Sequence, residues 1–363
     1  MTAGTLTIDL GAIVRNWRFL AEKAAPAECA AVVKANAYGL GVEEVAVSLL
    51  GAGCGTFFVA TVHEGVGLRR ILGSEPSIVV FHGVADREEA AALAAADAIP
   101  VLNTLEQIGA WTSFAREAGS PLPCVLHLDT GMNRLGLSAT DVQTLGLEQA
   151  RLRGADVCLL MSHLAVGEEA ANKMNRRQLV SFLQRCAPLP PAPQSLANSA
   201  GIFLGAAYTF DIVRPGIALY GANPVPSGPN PMAEVVHLQG KILQVRRVDA
   251  NETVGYGAAF SVTSPSRIAT VAAGYADGYL RSGTGRASAL VGGVRVPVVS
   301  RISMDLITLD VSAVPETIAV PGASVDLIGN GISVDEVATA AGTIPYEVLT
   351  SLGSRYQRVY RSV

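Results

Sequence analysis

The chain has 363 residues, of which 50% are hydrophobic and 16% are charged, and its formal net charge is −4. This length predicts two domains with large cores. The weakly acidic balance argues against a nucleic-acid-binding surface, and no apolar run has the length of a membrane-spanning helix.

The N-terminal residues and the cysteines indicate the compartment. The segment before residue 10 has neither a basic stretch nor a long apolar stretch, so no signal peptide is expected. A strand is predicted there, at Thr5–Asp9. Most cysteines lie in apolar runs, where a free thiol behaves as a small hydrophobic side chain; the five are Cys29, Cys54, Cys124, Cys158 and Cys186. We therefore expect a cytoplasmic protein with reduced thiols.

From Cys29 to about Ile217 the chain repeats a short apolar strand, a turn and an amphipathic helix. Continuous apolar strands are typical of parallel sheets that are covered on both faces. Strands are predicted at 29–34, 56–60, 77–82, 99–103, 124–129, 157–162, 194–198 and 210–214. The clearest helices are predicted at 42–50, 64–72, 88–96, 105–118 and 168–186. Eight such units fit a (β/α)8 barrel of the TIM type.

A doubly wound open sheet is the alternative architecture. It would have fewer strands and usually a glycine fingerprint for a nucleotide after the first strand. No G-x-G-x-x-G sequence follows the first strand of this chain. The barrel is therefore favoured.

Polar residues follow nearly every predicted barrel strand. They are Lys34, Thr61, His82, Asn103, Asp129 with Arg134, His163, Ser199 and Arg214. Catalytic groups of such barrels lie at the carboxyl ends of the strands, so this pattern predicts a site there. Loops are polar in any case, and the pattern is therefore supportive rather than decisive.

Lys34 stands where the first barrel strand meets the turn Ala-Asn-Ala-Tyr-Gly. An apolar run normally excludes an unpaired ammonium, because burying its charge is costly. A lysine at this point either reaches solvent along its aliphatic stem or is kept partly neutral for amine chemistry, such as a Schiff base with an aldehyde. This segment alone leaves both interpretations open.

The pattern changes after a proline-rich segment at 224–231, which can continue neither a helix nor a central strand. A mostly antiparallel β domain is predicted beyond it. Its strands are expected at 235–248, 267–272, 295–299, 306–311 and 324–327, with a short helix at 333–341. We expect a barrel domain at 10–230 and a β domain at 231–363, which the strand at 1–9 joins.

The segment Val-Val-Lys34-Ala-Asn-Ala-Tyr38-Gly resembles the cofactor-lysine motif of alanine racemases, pyridoxal-phosphate enzymes built from a barrel and a β domain. One such match would be weak, but further motifs of that family follow in order over almost the whole chain. They include Asn-Arg134-Leu-Gly, Ser-His163-Leu-Ala, Asn-Ser199-Ala-Gly, Arg214-Pro-Gly216-Ile217, Val-Gly-Tyr256-Gly, Ser-Met304-Asp305 and Pro-Tyr346-Glu.

The resemblance implies an isomerase that uses pyridoxal 5'-phosphate to interconvert L-alanine and D-alanine, with a proton-transferring base on each face of the α-carbon. Lys34 would hold the cofactor aldehyde as a Schiff base and act as one base, and Tyr256 would act as the other. Lys34 lies in the predicted barrel and Tyr256 in the β domain, so the family's solution is a homodimer with shared sites. The D-alanine would serve cell-wall peptidoglycan, or the enzyme would catabolise it.

The resemblance also implies the binding contacts. Arg214 would donate to the pyridine nitrogen, which stays unprotonated because arginine keeps its own proton. His163 would pack against the cofactor and hydrogen-bond to Arg214, while Arg134 and the backbone of Met304 would hold the substrate carboxylate. The phosphate would be bound by Tyr38, Ser199, Gly216, Ile217 and Tyr346. Supporting and entry-corridor residues would be Asp305, Arg281, Arg301, Ile344 and Glu168. No metal is implied.

One position departs from many relatives. His127 stands seven residues before Arg134, where a number of family members have a lysine that becomes carbamylated and steadies the arginine. Histidine cannot form a stable carbamate, so another anion or a hydrogen bond must orient Arg134.

Three alternatives to an alanine racemase are weighed. A racemase of serine or of a broader set of amino acids stays open. Related decarboxylases of basic amino acids use a longer glycine run to bind phosphate, which this chain lacks. A single-barrel pyridoxal-phosphate carrier would lack the β domain.

Overall fold

The barrel occupies the N-terminal part of the computed structural model, which describes residues 4–362. Residues 1–3 of the predicted first strand, and Val363, lie outside the described residues. The strands are β1 (Gly4–Asp9), β2 (Glu28–Cys29), β3 (Ala31–Val32), β4 (Thr56–Val59), β5 (Ser77–Val80), β6 (Ala98–Leu102), β7 (Leu122–His127), β8 (Ala155–Met161), β9 (Gln194–Ser195) and β10 (Ile212–Val213).

The parallel strands β3 to β9 are paired in chain order, and β10 pairs with β2. Two backbone hydrogen bonds show how the sheet closes. The N–H of Arg214 donates to the carbonyl of Ala197 at 2.9 Å, and the N–H of Ala30 donates to the carbonyl of Val213 at 3.0 Å. The segment around β10 thus joins the last strand to the first, and the predicted (β/α)8 barrel is confirmed.

Helices cover the barrel. They are α1 (Leu10–Ala24), α3 (Val42–Gly51), α4 (Val62–Leu72), α5 (Arg87–Ala95), α6 (Leu105–Ala118), α7 (Ala139–Leu147), α8 (Lys173–Cys186) and α9 (Ala206–Thr209), whereas α2 (Lys34–Tyr38) is a short left-handed turn after β3. Short 3₁₀ turns lie at Gln149–Leu152, Gly201–Leu204 and Ile217–Tyr220. The helix predicted from residue 168 begins at Lys173, because the side chain of Asn172 caps it by accepting from the N–H of Met174 at 3.0 Å.

The predicted β domain is also confirmed. Its strands are β11 (Val236–Val248), β12 (Thr253–Val254), β13 (Phe260–Ser261), β14 (Ser266–Ala272), β15 (Ser288–Val291), β16 (Val294–Val299), β17 (Leu306–Asp310), β18 (Ser324–Ile328) and β19 (Gln357–Arg361). Its helices are α10 (Val334–Ala341) and α11 (Pro345–Ser351), with 3₁₀ turns at Tyr256–Ala258, Tyr275–Asp277 and Arg281–Gly283. The main sheet runs β14-β17-β16-β15-β18-β11-β1-β19, with a further pairing between β14 and β11.

Strand β1 belongs to this sheet, as the sequence predicts. It pairs with β11 in antiparallel and with β19 in parallel orientation. Strand β19 also contacts the barrel. The guanidinium of Arg358 donates to the carbonyl of Gly39 at 2.7 Å, and the hydroxyl of Tyr360 donates to the carbonyl of Leu40 at 3.0 Å. The β domain therefore holds the end of the segment that begins with Lys34. None of the helices within residues 4–362 has the length and apolarity needed to span a bilayer.

Candidate active site

A cavity of about 580 Å³ opens at the carboxyl ends of the barrel strands. It brings together most of the predicted barrel residues, which line it with aromatic and apolar neighbours. The predicted residues in its wall are Lys34, Tyr38, His82, His127, Arg134, His163, Glu168, Ser199, Arg214, Gly216, Ile217, Ile344 and Tyr346.

The turn that carries Lys34 is left-handed. Residues Ala35 to Tyr38 have φ values between 52° and 55°, although none of them is glycine. Each such residue costs about 1–2 kcal/mol, so neighbouring groups must stabilise the turn. The N–H of Ala35 donates to Oε1 of Glu64 at 2.7 Å, and Oδ1 of Asn36 accepts from the N–H of Val42 at 2.8 Å. The turn places both Lys34 and Tyr38 in the cavity wall.

The amine of Lys34 is half-buried, and its Nζ lies 5.7 Å from the centre of the Phe81 ring. Burial lowers the pKa of Lys34, and the charge of Arg134 lowers it further, while Glu64 opposes this effect. A lower pKa increases the neutral fraction of the amine, and only the neutral amine attacks a carbonyl or accepts a proton.

A group of donors surrounds one end of the cavity. The hydroxyl of Ser199 accepts from the N–H groups of Gly216 and Ala218 at 2.9 and 3.3 Å. A Cβ atom on Gly216 would lie 2.2 Å from the hydroxyl oxygen of Tyr38, so only glycine leaves this space open. Burial raises the pKa of Tyr38, and it raises that of Tyr346 to about 12, so both phenols stay protonated donors.

Arg214 is a buried cation without a carboxylate partner among the described residues. Its guanidinium donates to the hydroxyl of Ser195 and to the carbonyl of Ser162, the latter at 2.6 Å. The predicted hydrogen bond from His163 to Arg214 is not formed within residues 4–362. Burial lowers the pKa of Arg214 to about 9, so the group remains charged at neutral pH and can donate into the cavity.

Two histidines of the cavity, His127 and His163, are neutral at physiological pH. Burial, followed by the charge of Arg214, lowers the pKa of His127 to about 4 and that of His163 well below its ordinary value. Arg134 itself is exposed and forms no ion pair within the described chain. The loop that carries it is held by Asp129, whose Oδ1 accepts from the N–H of Gly131 at 3.0 Å. Arg134 is thus free to bind an anion.

Apart from Ile344 and Tyr346, which line this cavity, the predicted site residues of the β domain lie outside it. They are Tyr256, Arg281, Arg301, Met304 and Asp305. The side chain of Tyr256 is 71% exposed, and that of Met304 is 53% exposed. The carboxylate of Asp305 accepts from Arg355 at 2.8 Å. One chain therefore presents Lys34 and Tyr256 on separate surfaces.

Two contacts of the site were not predicted. Glu64 reaches the Lys34 turn from the neighbouring βα loop, and its sequence signal was the capping box Thr61-x-x-Glu64. Asn103 follows a barrel strand as expected, but it holds His127 instead of facing the cavity: its Oδ1 lies 2.8 Å from Nδ1 of that histidine. Thr61 similarly caps α4.

Comparison with known proteins identifies both halves of the chain. Residues 8–224 match the family model described as the N-terminal domain of alanine racemase, and residues 235–360 match the model of its C-terminal domain.

Individual relatives agree with the family models. An alanine racemase of Methylobacterium nodulans is 51% identical over 98% of this chain and 95% of its own length. A catabolic alanine racemase of Agrobacterium fabrum is 46% identical over 99% of this chain and 92% of its own length. The crystal structure of a Bartonella henselae alanine racemase with covalently bound pyridoxal phosphate superposes with a TM-score of 0.95. It is 41% identical and covers 99% of this chain and 100% of its own.

Proposed function

The chain belongs to the alanine racemase family, and on this basis we propose how its residues interconvert L-alanine and D-alanine with pyridoxal phosphate as the cofactor. The observation that carries the proposal is a single cavity. It combines a lysine of lowered pKa, a cluster of uncharged phosphate-binding donors and a buried arginine.

The residues present fit the cofactor. A Cβ of Gly216 would lie 2.2 Å from the hydroxyl oxygen of Tyr38, and the N–H of Gly216 itself meets the hydroxyl of Ser199 at 2.9 Å. Hydroxyl and amide groups of this kind suit a phosphate. Lys34 would hold the aldehyde, and Arg214 would donate to the ring nitrogen. The phosphate would be bound by Tyr38, Ser199, Gly216, Ile217 and Tyr346. When bound, pyridoxal phosphate acidifies the α-hydrogen of an amino acid.

Lys34 and Tyr256 of the partner subunit would transfer the proton. The neutral amine of Lys34 takes the α-proton from one face, and the phenol delivers a proton to the other face. In the reverse direction the phenolate takes the proton and the ammonium delivers one. No net proton is consumed in either direction.

The exposed position of Tyr256 supports a homodimer. Other exposed apolar side chains occur in the β domain, at Tyr275 and Met304, and in the wall of the cavity, at Leu135 and Ile344. A dimer that packs these two surfaces against each other would bring Tyr256 to the partner's cavity and cover both patches.

The substrate carboxylate would be bound by Arg134 and by the N–H of Met304, which has no hydrogen-bond partner among residues 4–362. Arg281 and Arg301 of the partner subunit, with Ile344 and Glu168, would form the entry corridor. We further propose that the enzyme acts in the cytoplasm, where its five free thiols stay reduced. Its D-alanine either serves peptidoglycan or is catabolised.

A racemisation assay tests the function. With added pyridoxal phosphate, alanine should be racemised at least about a hundredfold faster than lysine, whose second ammonium meets the cationic corridor. The rate on serine should fall less far below the rate on alanine, by about a hundredfold at most, because a pocket discriminates weakly against one added hydroxyl group. Comparable rates on alanine and lysine would contradict alanine as the substrate, and absence of any racemisation would contradict the activity.

A further inference from the structure

Glu64 joins the two loops that follow the first two barrel strands. Its Oε1 accepts from the N–H of Ala35 at 2.7 Å. Its Oε2 accepts from the N–H groups of Ala60 and Thr61 at 2.7 and 3.2 Å. One half-buried carboxylate therefore satisfies donors on both loops, and its own helix N-terminus is closed by the hydroxyl of Thr61.

The contact with Ala35 lies at the start of the strained turn. Ala35 is the first residue with a positive φ, directly after Lys34. Its N–H is the donor that fixes the orientation of the peptide following Lys34. Because this N–H is bound by a charged acceptor, the contact is among the stronger hydrogen bonds of the turn.

Glu64 also acts on Lys34 through its charge. Arg134 disfavours the ammonium form of Lys34, and Glu64 favours it. These two opposite charges act on an amine that is otherwise desolvated, and His163, which also interacts electrostatically with Lys34, is neutral.

We propose that Glu64 is a positioning residue for Lys34, which fixes the left-handed turn through Ala35 and balances the charge of Arg134 at the amine. The proposal rests on the role of Lys34 proposed above. It predicts that Glu64 affects catalysis without contacting substrate or cofactor.

The chain contains a matched control. Glu89 caps α5 in the same way, since its Oε2 accepts from the N–H of Ala85 at 2.7 Å and its N–H donates to Asp86 at 2.9 Å. Among residues 4–362 it has no third donor from a neighbouring loop, and it lies outside the cavity wall. Glu89→Gln therefore reports the cost of damaging such a cap alone.

Hydrogen exchange measures the structural part of the proposal. In the holoenzyme, Glu64→Gln should accelerate amide exchange in the 33–41 peptide by about tenfold, because one amide oxygen cannot serve both loops. Glu89→Gln should leave that peptide unchanged while lowering the melting temperature by a similar few degrees. Equal exchange in both variants would overturn the proposal whether or not the protein racemises alanine.

The pH profile of kcat measures the charge effect, because it reports groups of the enzyme–substrate complex. Without the charge of Glu64 the pKa of Lys34 falls. The rise of kcat on the acidic side of the pH profile should therefore move to lower pH by about one unit in Glu64→Gln. Glu64→Asp keeps the charge but cannot reach both loops. It should therefore accelerate amide hydrogen exchange in the 33–41 peptide without shifting the acidic side of the kcat profile. If Glu64→Gln does not fold, Glu64→Asp supplies the exchange result. If the kcat profile of Glu64→Gln does not shift, the proposed effect of the Glu64 charge on Lys34 is wrong. An inactive wild type would instead contradict the proposed function.

Discussion

The side-chain oxygen of Asn103 accepts a hydrogen bond from Nδ1 of His127 at 2.8 Å inside the barrel. The direction of this bond follows from the other contacts of Asn103. Its amide nitrogen donates to the carbonyls of Phe81 and Val101 at 3.0 and 2.9 Å, so its oxygen must face the histidine. His127 therefore carries its proton on Nδ1, and Nε2 is left as a hydrogen-bond acceptor.

This arrangement bears on how Arg134 is oriented. His127 lines the cavity and is neutral, with a pKa of about 4. A neutral acceptor can hold a guanidinium by a hydrogen bond, but it adds no negative charge. We expect substrate binding to be independent of added bicarbonate, measured as an unchanged KM for alanine.

The lowered pKa of His127 makes the fold sensitive to acid. Between pH 6.5 and about 4 the unfolded chain binds a proton at this histidine and the folded chain does not. Stability therefore falls as pH falls through this window, by about 3 kcal/mol in total. His127→Gln removes the proton-binding group, so its free energy of unfolding should decline less steeply than that of the wild type over the same range.

Urea unfolding at pH 7.5, 6 and 4.5 measures this difference. His163 contributes in the same direction in both proteins, and the comparison of the two slopes isolates His127. Parallel stability curves for the two proteins would show that His127 is not buried in its neutral form.

Gly216 provides a test of the phosphate site. In Gly216→Ala the new Cβ would lie 2.2 Å from the hydroxyl of Tyr38, in the space assigned to the phosphate. Overpacking of this kind costs about 1–3 kcal/mol, so the dissociation constant for pyridoxal phosphate should rise roughly tenfold to a hundredfold. Fluorescence titration gives the constant.

Gly67→Ala is the control for this substitution. Gly67 lies inside α4, and a Cβ there would meet no atom within 4 Å apart from its chain neighbours and the backbone of its own helix. We expect this variant to keep its cofactor affinity and to gain about 0.5–1 kcal/mol of stability. If both variants bind pyridoxal phosphate as the wild type does, the phosphate lies elsewhere.

Arg214 is expected to control the reaction type. In Arg214→Glu a carboxylate would favour a protonated pyridine nitrogen and strengthen the ring as an electron sink. Racemisation should fall at least about tenfold, equal to about 1.4 kcal/mol of transition-state stabilisation, while pyruvate formation from alanine by transamination rises. The ratio of D-alanine to pyruvate is the measurement.

Arg214→Lys separates charge from geometry, because lysine keeps the positive charge but lacks the fork that contacts Ser195 and Ser162. Racemisation by Arg214→Lys should slow without formation of pyruvate. An unchanged product ratio in Arg214→Glu would argue against an arginine at the ring nitrogen.

The barrel was predictable because its strands are short continuous apolar runs and are followed by polar residues. Each predicted barrel strand overlaps an observed one. Helix α1 was missed although its signals were present: Asp9 caps it by accepting from the N–H of Ala12 at 2.7 Å, and Ile13 and Leu20 form its buried face. Strand β19 was missed because its parallel partner, β1, lies at the other end of the chain.

The Lys34 turn was beyond sequence-based prediction. Ala35, Ala37 and Tyr38 have no preference for positive φ, and only Asn36 tolerates it. The conformation depends on contacts from distant segments, Glu64 in one loop and Arg358 in the last strand. Local propensity cannot report such contacts, and the proposed role of Lys34 comes from the family resemblance rather than from its position alone.

Complementation between two inactive variants tests the shared site. Lys34→Ala should lose covalent cofactor binding and activity, and Tyr256→Phe should keep the cofactor but lose most racemisation. Tyr256 is 71% exposed and lies outside the cavity of its own chain, so the proposed two-base site would need residues of both chains. In a hybrid dimer one site lacks both bases, and the other combines an intact Lys34 with an intact Tyr256.

Mixing the two variants under subunit exchange should therefore restore activity. Random exchange makes about half of the dimers hybrid, and each hybrid has one functional site of two, so activity should approach about a quarter of the wild type. Native mass spectrometry counts the hybrids independently of the assay. A mixture of Lys34→Ala with the Lys34→Ala, Tyr256→Phe double variant should stay inactive, because no site regains Lys34. If hybrids form and remain inactive in the first mixture as well, Lys34 and Tyr256 do not act in one site across the dimer.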